Sequence, residues 1–347
     1  MSKKRTVYIG LSITLSVVLI AYLFSQIKAH DLAQTLGHLY WPALFIYIGI
    51  SLISAWLRAW RYKWLLRPQA ISWRDMFLVT FIRNAFDDLL PARIGSLSYI
   101  YVLNKRLDFS FESAASTFVV AFVLDFLTLS PFLVLAVLAV GFGTATIPIP
   151  ALLAFALGFF LLIFVVLWKI VPVSRFFLKI YQALLKILKA DQKIKARVSV
   201  DKLQATIESL REFQKRRIYA PLYLLSLVIR LGKYISLYVL LFALLRSHGF
   251  GLQDISFWKT ILGITGAELT SALPVKGIAD FGTWESAWAL AFQLMRFDAK
   301  LAILSGIGIH LITNLFEYGL GFLSVLILAV PFLQKARSVR SPSKKSH

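Results

Sequence analysis

Long apolar stretches run through most of this chain, and they are interrupted at two places where polar groups would be least expected. Continuous apolar runs cover residues 7–27, 39–57, 114–140, 150–168, 218–245 and 301–333, each near or above the roughly 20 residues that carry a helix across a bilayer. Two further regions, 76–104 and 255–295, are apolar at both ends but broken in the middle. The first break reads Asp87-Asp88-Leu89-Leu90-Pro91-Ala92-Arg93-Ile94-Gly95. The second reads Leu273-Pro274-Val275-Lys276-Gly277-Ile278-Ala279-Asp280-Phe281-Gly282-Thr283-Trp284-Glu285. Each flanking half falls short of a full crossing, and Pro and Gly at the break turn the backbone where it must line a cavity to keep its polar groups satisfied. The pattern predicts an all-α polytopic membrane protein with about six full transmembrane helices and two broken, re-entrant hairpins.

Composition agrees: 59% of the residues are hydrophobic, 16% are charged and the mean hydropathy is +0.74, the makeup of an integral membrane protein. The formal net charge of +21 is that of many nucleic-acid binders, yet the basic residues sit at span ends and in loops of one side. Positive-inside topology accounts for them without a nucleic-acid partner. Lys3, Lys4 and Arg5, then Arg58, Arg61, Lys63, Arg67 and Arg74, then Lys105 and Arg106, the segment 171–217, and Lys335 to Lys345 all fall on one side if each broken region returns to the side it entered from, and two complete crossings per broken region would keep the same parity. That side is cytoplasmic, so both termini are expected there and the membrane is expected to be a prokaryotic cytoplasmic (inner) membrane. The first apolar run is too long for a signal-peptide core and lacks a small-x-small cleavage site, so it reads as a retained helix. Residues 1–337 are expected to form one membrane domain, with 338–347 a basic disordered tail.

With this orientation the two hairpins enter from opposite faces and their tips meet near the midplane. Leu90-Pro91-x-Arg93 against Leu273-Pro274-x-Lys276 is the trace that an inverted-topology duplication leaves. The segment 171–217 is expected to be helical and amphipathic, with Phe177, Ile180, Tyr181, Leu184, Leu185 and Leu188 in one stripe and Val200, Leu203, Ile207, Leu210 and Phe213 in another. Its lysines and arginines suit anionic headgroups, or it packs beneath the bundle.

The breaks carry the candidate chemistry. Arg83 and Asp87, like Asn84 and Asp88, are four apart and meet along a helix. Pro91 and Gly95 form the turn and free backbone N–H groups beside Arg93, whose planar guanidinium suits a phosphate; the alternative is an Arg93–carboxylate lock at the tip. In the second break Glu268, Lys276, Asp280 and Glu285 surround the turn residues Pro274, Gly277 and Gly282. Glu285 opens an apolar helix, where a carboxylate caps free N–H groups. Asp125, Arg230 with Lys233, and His310 with Asn314 and Glu317 are polar positions inside spans, each either contacting substrate or fixing the bundle through pairing. Absent are a phosphate-binding G-x-x-x-x-G-K-[ST] loop, a G-x-S-x-G elbow and an H-E-x-x-H pair, and there is no cysteine; the five histidines are scattered. No metal and no cofactor are expected.

Asn84 with Leu89-Leu90-Pro91-Ala92-Arg93-Ile94-Gly95, mid-span Asp125, and Leu273-Pro274 with Gly277, Gly282 and Glu285 resemble the flippase-like membrane domain shared by the UPF0104 family and the N-terminal part of bacterial lysylphosphatidylglycerol synthases. The resemblance spans roughly residues 5–335. This chain has Ser96 where the family pattern carries a glutamate, and Asp280 where glycine is usual. The resemblance implies translocation of a polar lipid or lipid-linked molecule. Arg93 and Lys276 would hold its phosphate, with Asp87, Asp88, Asp280, Glu285, Asn84, Asp125 and Glu317 lining the path. Two alternatives stay open. One is a membrane-embedded transferase using a polyprenyl phosphate or phospholipid, with Asp87 as base; the other is a non-catalytic partner of a lipid or glycan synthase.

Overall fold

A computed structural model describes residues 3–90, 95–140, 149–187, 194–216, 218–270 and 277–329, and among them every regular element is helical. The first is α1 (Lys3–Gln26), followed by the short α2 (Ala29–Gly37), α3 (Trp41–Leu66), α4 (Trp73–Leu89), α5 (Ser98–Arg106), α6 (Phe111–Leu127) and α7 (Leu129–Val140). The rest are α8 (Ile149–Trp168), α9 (Ile170–Ile187), α10 (Ile194–Lys215), α11 (Tyr219–Leu245), α12 (Phe257–Thr270), α13 (Thr283–Leu294) and α14 (Ala299–Ala329). Among the described residues four spans are long and apolar enough to cross a membrane: α3, α6 with α7 as one run, α11 and α14. Two more, α1 and α8, pass into α2 and α9 through bends of 82° and 85°. The protein is a polytopic all-α membrane protein.

The short helices are hairpin arms. In the second pair, Lys259 at the start of α12 donates to the carbonyl of Met295, just beyond the end of α13, over 3.2 Å. Both arms therefore open at the same end of the bundle. In the first pair, α4 begins at Ser72, whose hydroxyl accepts the Asp75 amide as an N-cap, and α5 returns alongside it. At 17 and 9 residues for α4 and α5, and 14 and 12 for α12 and α13, no arm crosses a bilayer alone.

Apart from a small third cluster of Leu133, Val137 and Ala156, the apolar side chains among the described residues collect mainly in two large cores, one at each end. One joins the first half of α3 (Ala43, Tyr47) to the second half of α11, α12, α13 and the first half of α14. The other joins the second half of α3 (Ala59, Tyr62, Leu65, Leu66) to α4, α5, α6 and α10. The hairpins thus enter from opposite ends, as the broken hydrophobic pattern predicts. Between the cores, the middle turns of α3, α11 and α14 are left to polar residues.

The 171–217 segment divides its two apolar stripes. On α10, Ile207, Leu210 and Phe213 are buried against the second core. On α9, which leaves α8 nearly at a right angle, Phe177, Ile180, Leu184 and Ile187 stay exposed at 3-4-3 spacing. A helix perpendicular to a span with an apolar face outward has the geometry of one lying in the membrane surface. Leu188 and the tail beyond 329 are outside the described residues.

Candidate functional site

A cavity of about 200 Å³ lies between the two cores. Asp125 locates it: 14 residues separate it from Phe111 and 15 from Val140, about 21 and 22 Å along the helix axis. That is mid-height in a bilayer whose hydrocarbon is about 30 Å thick. Its walls come from α3, α4, α6, α11, α12, α14 and the tip of the second hairpin.

Two buried ion-pair groups and a buried Glu–His contact build it. Asp125 receives both guanidinium nitrogens of Arg61, at 2.6 and 3.2 Å, and Arg61 also donates to the Ser226 hydroxyl at 2.9 Å. Arg61 has no solvent exposure; its charge is held by this bidentate fork, the geometry in which Arg binds carboxylate most strongly. On α12, Glu268 accepts from Arg230 at 2.7 Å and Lys233 at 2.5 Å, while Arg230 reaches back to the Asp125 carbonyl at 2.6 Å. The hairpin is thereby tied to α11 and α6 through charge. Finally, Glu285 accepts the Gly282 amide at 2.8 Å with one oxygen and contacts His310 Nδ1 at 2.5 Å with the other. The imidazole stacks on Trp284 at 5.1 Å and lies tilted against Phe281 at 4.7 Å. Glu285 thus caps α13 as expected and orients His310, which faces the cavity.

A fourth group is paired differently. Arg58 and Arg83 both donate to the same neutral acceptor, Asn84 Oδ1, at 2.9 and 3.4 Å, and Arg83 stands 3.9 Å from Asp87. The buried Nε of Arg58 has no hydrogen-bond partner. Two cations thus converge on one amide oxygen in a wall that also carries Asp87 and Asp125. Across the cavity, Glu317 lines the wall with no hydrogen bond or ion pair among the described residues. Ser96 donates its hydroxyl to Asp87.

The second tip is strained and tightly packed. Ala279 and Asp280 have φ of 50° and 61°, and Gly282 has φ of 87°; non-glycine residues there cost on the order of 1–3 kcal/mol each. A Cβ on Gly282 would meet Leu19 at 2.8 Å, and one on Gly277 would fall 1.9 Å from the Phe281 carbonyl oxygen. Ser16 of α1 donates to that same carbonyl over 3.1 Å. Gly95 in the first hairpin is equally constrained: an added Cβ would lie 1.5 Å from the Phe86 carbonyl oxygen.

Of the residues singled out from the sequence, the cavity gathers Asn84, Asp87, Asp125, Asp280 and Glu317 together with Arg83, Arg230, Lys233, Glu268, His310 and Asn314, with Glu285 in contact with His310. Asp88 falls in the last turn of α4. Pro91, Arg93, Pro274 and Lys276 lie outside the described residues. Arg58 and Arg61 differ from expectation. They read as a cytoplasmic flank, but α3 runs 26 residues to Leu66 and carries both into the polar interior. Their signal was present: Ser51, Ser54, Arg58 and Arg61 follow 3-4-3 spacing, one polar stripe on a helix. Ser226 with Arg230 and Lys233 is the facing stripe on α11.

The fold and site define a polytopic helical membrane protein with two opposed re-entrant hairpins around a charged mid-membrane cavity. The family model described as the lysylphosphatidylglycerol synthase TM region matches residues 9–321, and the chain belongs to that family. Membership gives it a membrane-lipid-related function. No curated protein matches the chain.

Proposed function

We propose that this protein moves a polar, phosphate-bearing lipid or lipid-linked molecule between leaflets, the headgroup passing through the mid-membrane cavity while its chains stay in the surrounding lipid. The observation that carries this reading is the convergence of Arg58 and Arg83 on the neutral Asn84 Oδ1, with the buried Nε of Arg58 left without a hydrogen-bond partner among the described residues. Carboxylates elsewhere in the cavity neutralise specific cations: Asp125 takes Arg61, and Glu268 takes Arg230 and Lys233. A phosphate would complete the coordination of the Arg58–Arg83 pair, and Glu317 would face whatever cationic or hydroxyl group the headgroup also carries. Arg93 and Lys276 would add contacts at the two tips. The two end cores act as gates, because opening either exposes the cavity to one face only. The N- and C-termini and α9–α10 would then face the cytoplasm of a prokaryotic cell, bounded by its inner membrane.

The transferase alternative would assign Asp87 the role of base. In this geometry the Asp87 carboxylate already accepts from Ser96 and stands beside Arg83, which favours a positioning role. The test is reduction of fluorescent headgroup-labelled lipids by an impermeant quencher in vesicles holding the purified chain. Labelled phosphatidylglycerol, phosphatidylcholine and prenyl phosphate would be compared, with Arg58→Gln and Arg83→Gln alongside. Movement of one class that both substitutions slow at least tenfold is expected. Movement of none, with product formed from a prenyl phosphate in detergent, would favour the transferase.

A further inference from the structure

A second groove opens at the end of the bundle that holds α9 and α10, away from the central cavity. Trp60, Lys63, Trp64, Arg67, Trp73 and Arg216 form its principal walls, and none of its lining residues is acidic. Its volume is about 700 Å³. Lys63 donates to the Ile71 carbonyl and lies 4.9 Å over the Trp73 ring. Arg216 donates to the Arg67 carbonyl and stacks on Phe213 at 4.7 Å. The Arg67 guanidinium is exposed and has no side-chain partner among the described residues. Three cations therefore surround a groove that contains no counter-charge.

The tryptophans say which anion would come. Trp56 stacks on Trp73 at 5.8 Å and 12° and touches Trp60 at 5.4 Å, and all three are about two-fifths exposed. Trp56 and Trp60 continue the outward face of α3, where Phe45, Leu52 and Ile53 are also exposed, and Trp73 opens α4 beside them. Tryptophan at the lower end of a lipid-facing strip marks headgroup level. A ligand with a phosphate in the groove and chains along α3 fits both halves of this surface. We propose that the groove is a binding site for the phosphodiester of an acidic phospholipid, distinct from the translocation cavity. Binding here does not require that the lipid be moved.

The test uses the full chain in phosphatidylcholine vesicles doped with brominated phosphatidylglycerol or brominated phosphatidylcholine, with tryptophan quenching as the readout. Wild type should be quenched more by the acidic lipid. Arg67→Gln and Arg216→Gln should each lower that preference about fivefold, with helix content by circular dichroism unchanged. Trp60→Phe should remove part of the excess quenching by removing a reporter. Equal quenching by both lipids, or a preference that survives the Arg67→Gln/Arg216→Gln double variant, overturns the site. Reversal by millimolar glycerol phosphate or inorganic phosphate would reassign the groove to a soluble phosphate and overturn the lipid.

Discussion

Removing Asp125 should damage the protein far more than removing both members of its ion pair. Asp125→Ala leaves Arg61, which has no solvent exposure, with the Ser226 hydroxyl as its remaining hydrogen-bond partner among the described residues. Stranding one partner of a buried pair costs about 3–5 kcal/mol. The Asp125 carboxylate is 22% exposed to the cavity, so water softens the loss and the lower end, about 3 kcal/mol, is the expected value. That is more than a hundredfold in the unfolding equilibrium. Arg61→Met leaves Asp125 as an anion beside Arg58 and Arg83 and should cost somewhat less. The double variant Arg61→Met/Asp125→Ala removes both charges and should recover most of the difference, giving a coupling energy of about 2 kcal/mol or more. Reversible unfolding in mixed micelles with increasing dodecyl sulfate, followed by circular dichroism on all four proteins, measures the cycle. If Asp125→Ala alone costs under about 1 kcal/mol, or the single losses simply add, the pair is not the internal brace described here.

Three further outcomes follow from the geometry. Gly282→Ala should destabilise by about 2–4 kcal/mol, from its positive φ and the 2.8 Å approach of a Cβ to Leu19, read as a lower midpoint in the same unfolding assay. Glu285→Ala should lose both the α13 cap and the His310 contact, about 2–3 kcal/mol together, whereas Glu285→Gln, which can still accept the Gly282 amide, should keep most of the stability and lose lipid movement; thermal midpoint and vesicle assay measured side by side separate the two. Spin labels at Phe177, Ile180, Leu184 and Ile187 on α9 should be more accessible to oxygen than to a nickel chelate, and labels at Lys179 and Lys186 the reverse, if α9 lies in the membrane surface.

Much of the fold is legible in the chain because a bilayer leaves little freedom: an apolar run of bilayer length must be a helix, and a broken one must turn back. The run at 114–140 emerges as the continuous α6 and α7, and 218–245 as α11. What misled was the end of α3, where Arg58 and Arg61 resemble a positive flank until one sees that Ser51 and Ser54 share their face. The pairings themselves are tertiary. Nothing local to Asp125 points to Arg61, or local to Glu285 to His310; these contacts exist because α3 packs on α11 and α6, and α13 on α14. The exposed stripe of α9 and the buried stripe of α10 have the same period, so periodicity alone does not tell a membrane-facing helix from a core helix.

The central claim, that a lipid headgroup reaches the middle of the membrane in this protein, is tested most directly by photo-crosslinking with a phospholipid carrying a diazirine on its headgroup, in vesicles, followed by peptide mapping. The account predicts adducts on the cavity segments of α4 and α14, around Asn84 and Thr313, that Arg58→Gln abolishes. Adducts confined to α9, α10 and the groove between residues 60 and 73, and unchanged by that substitution, would contradict it.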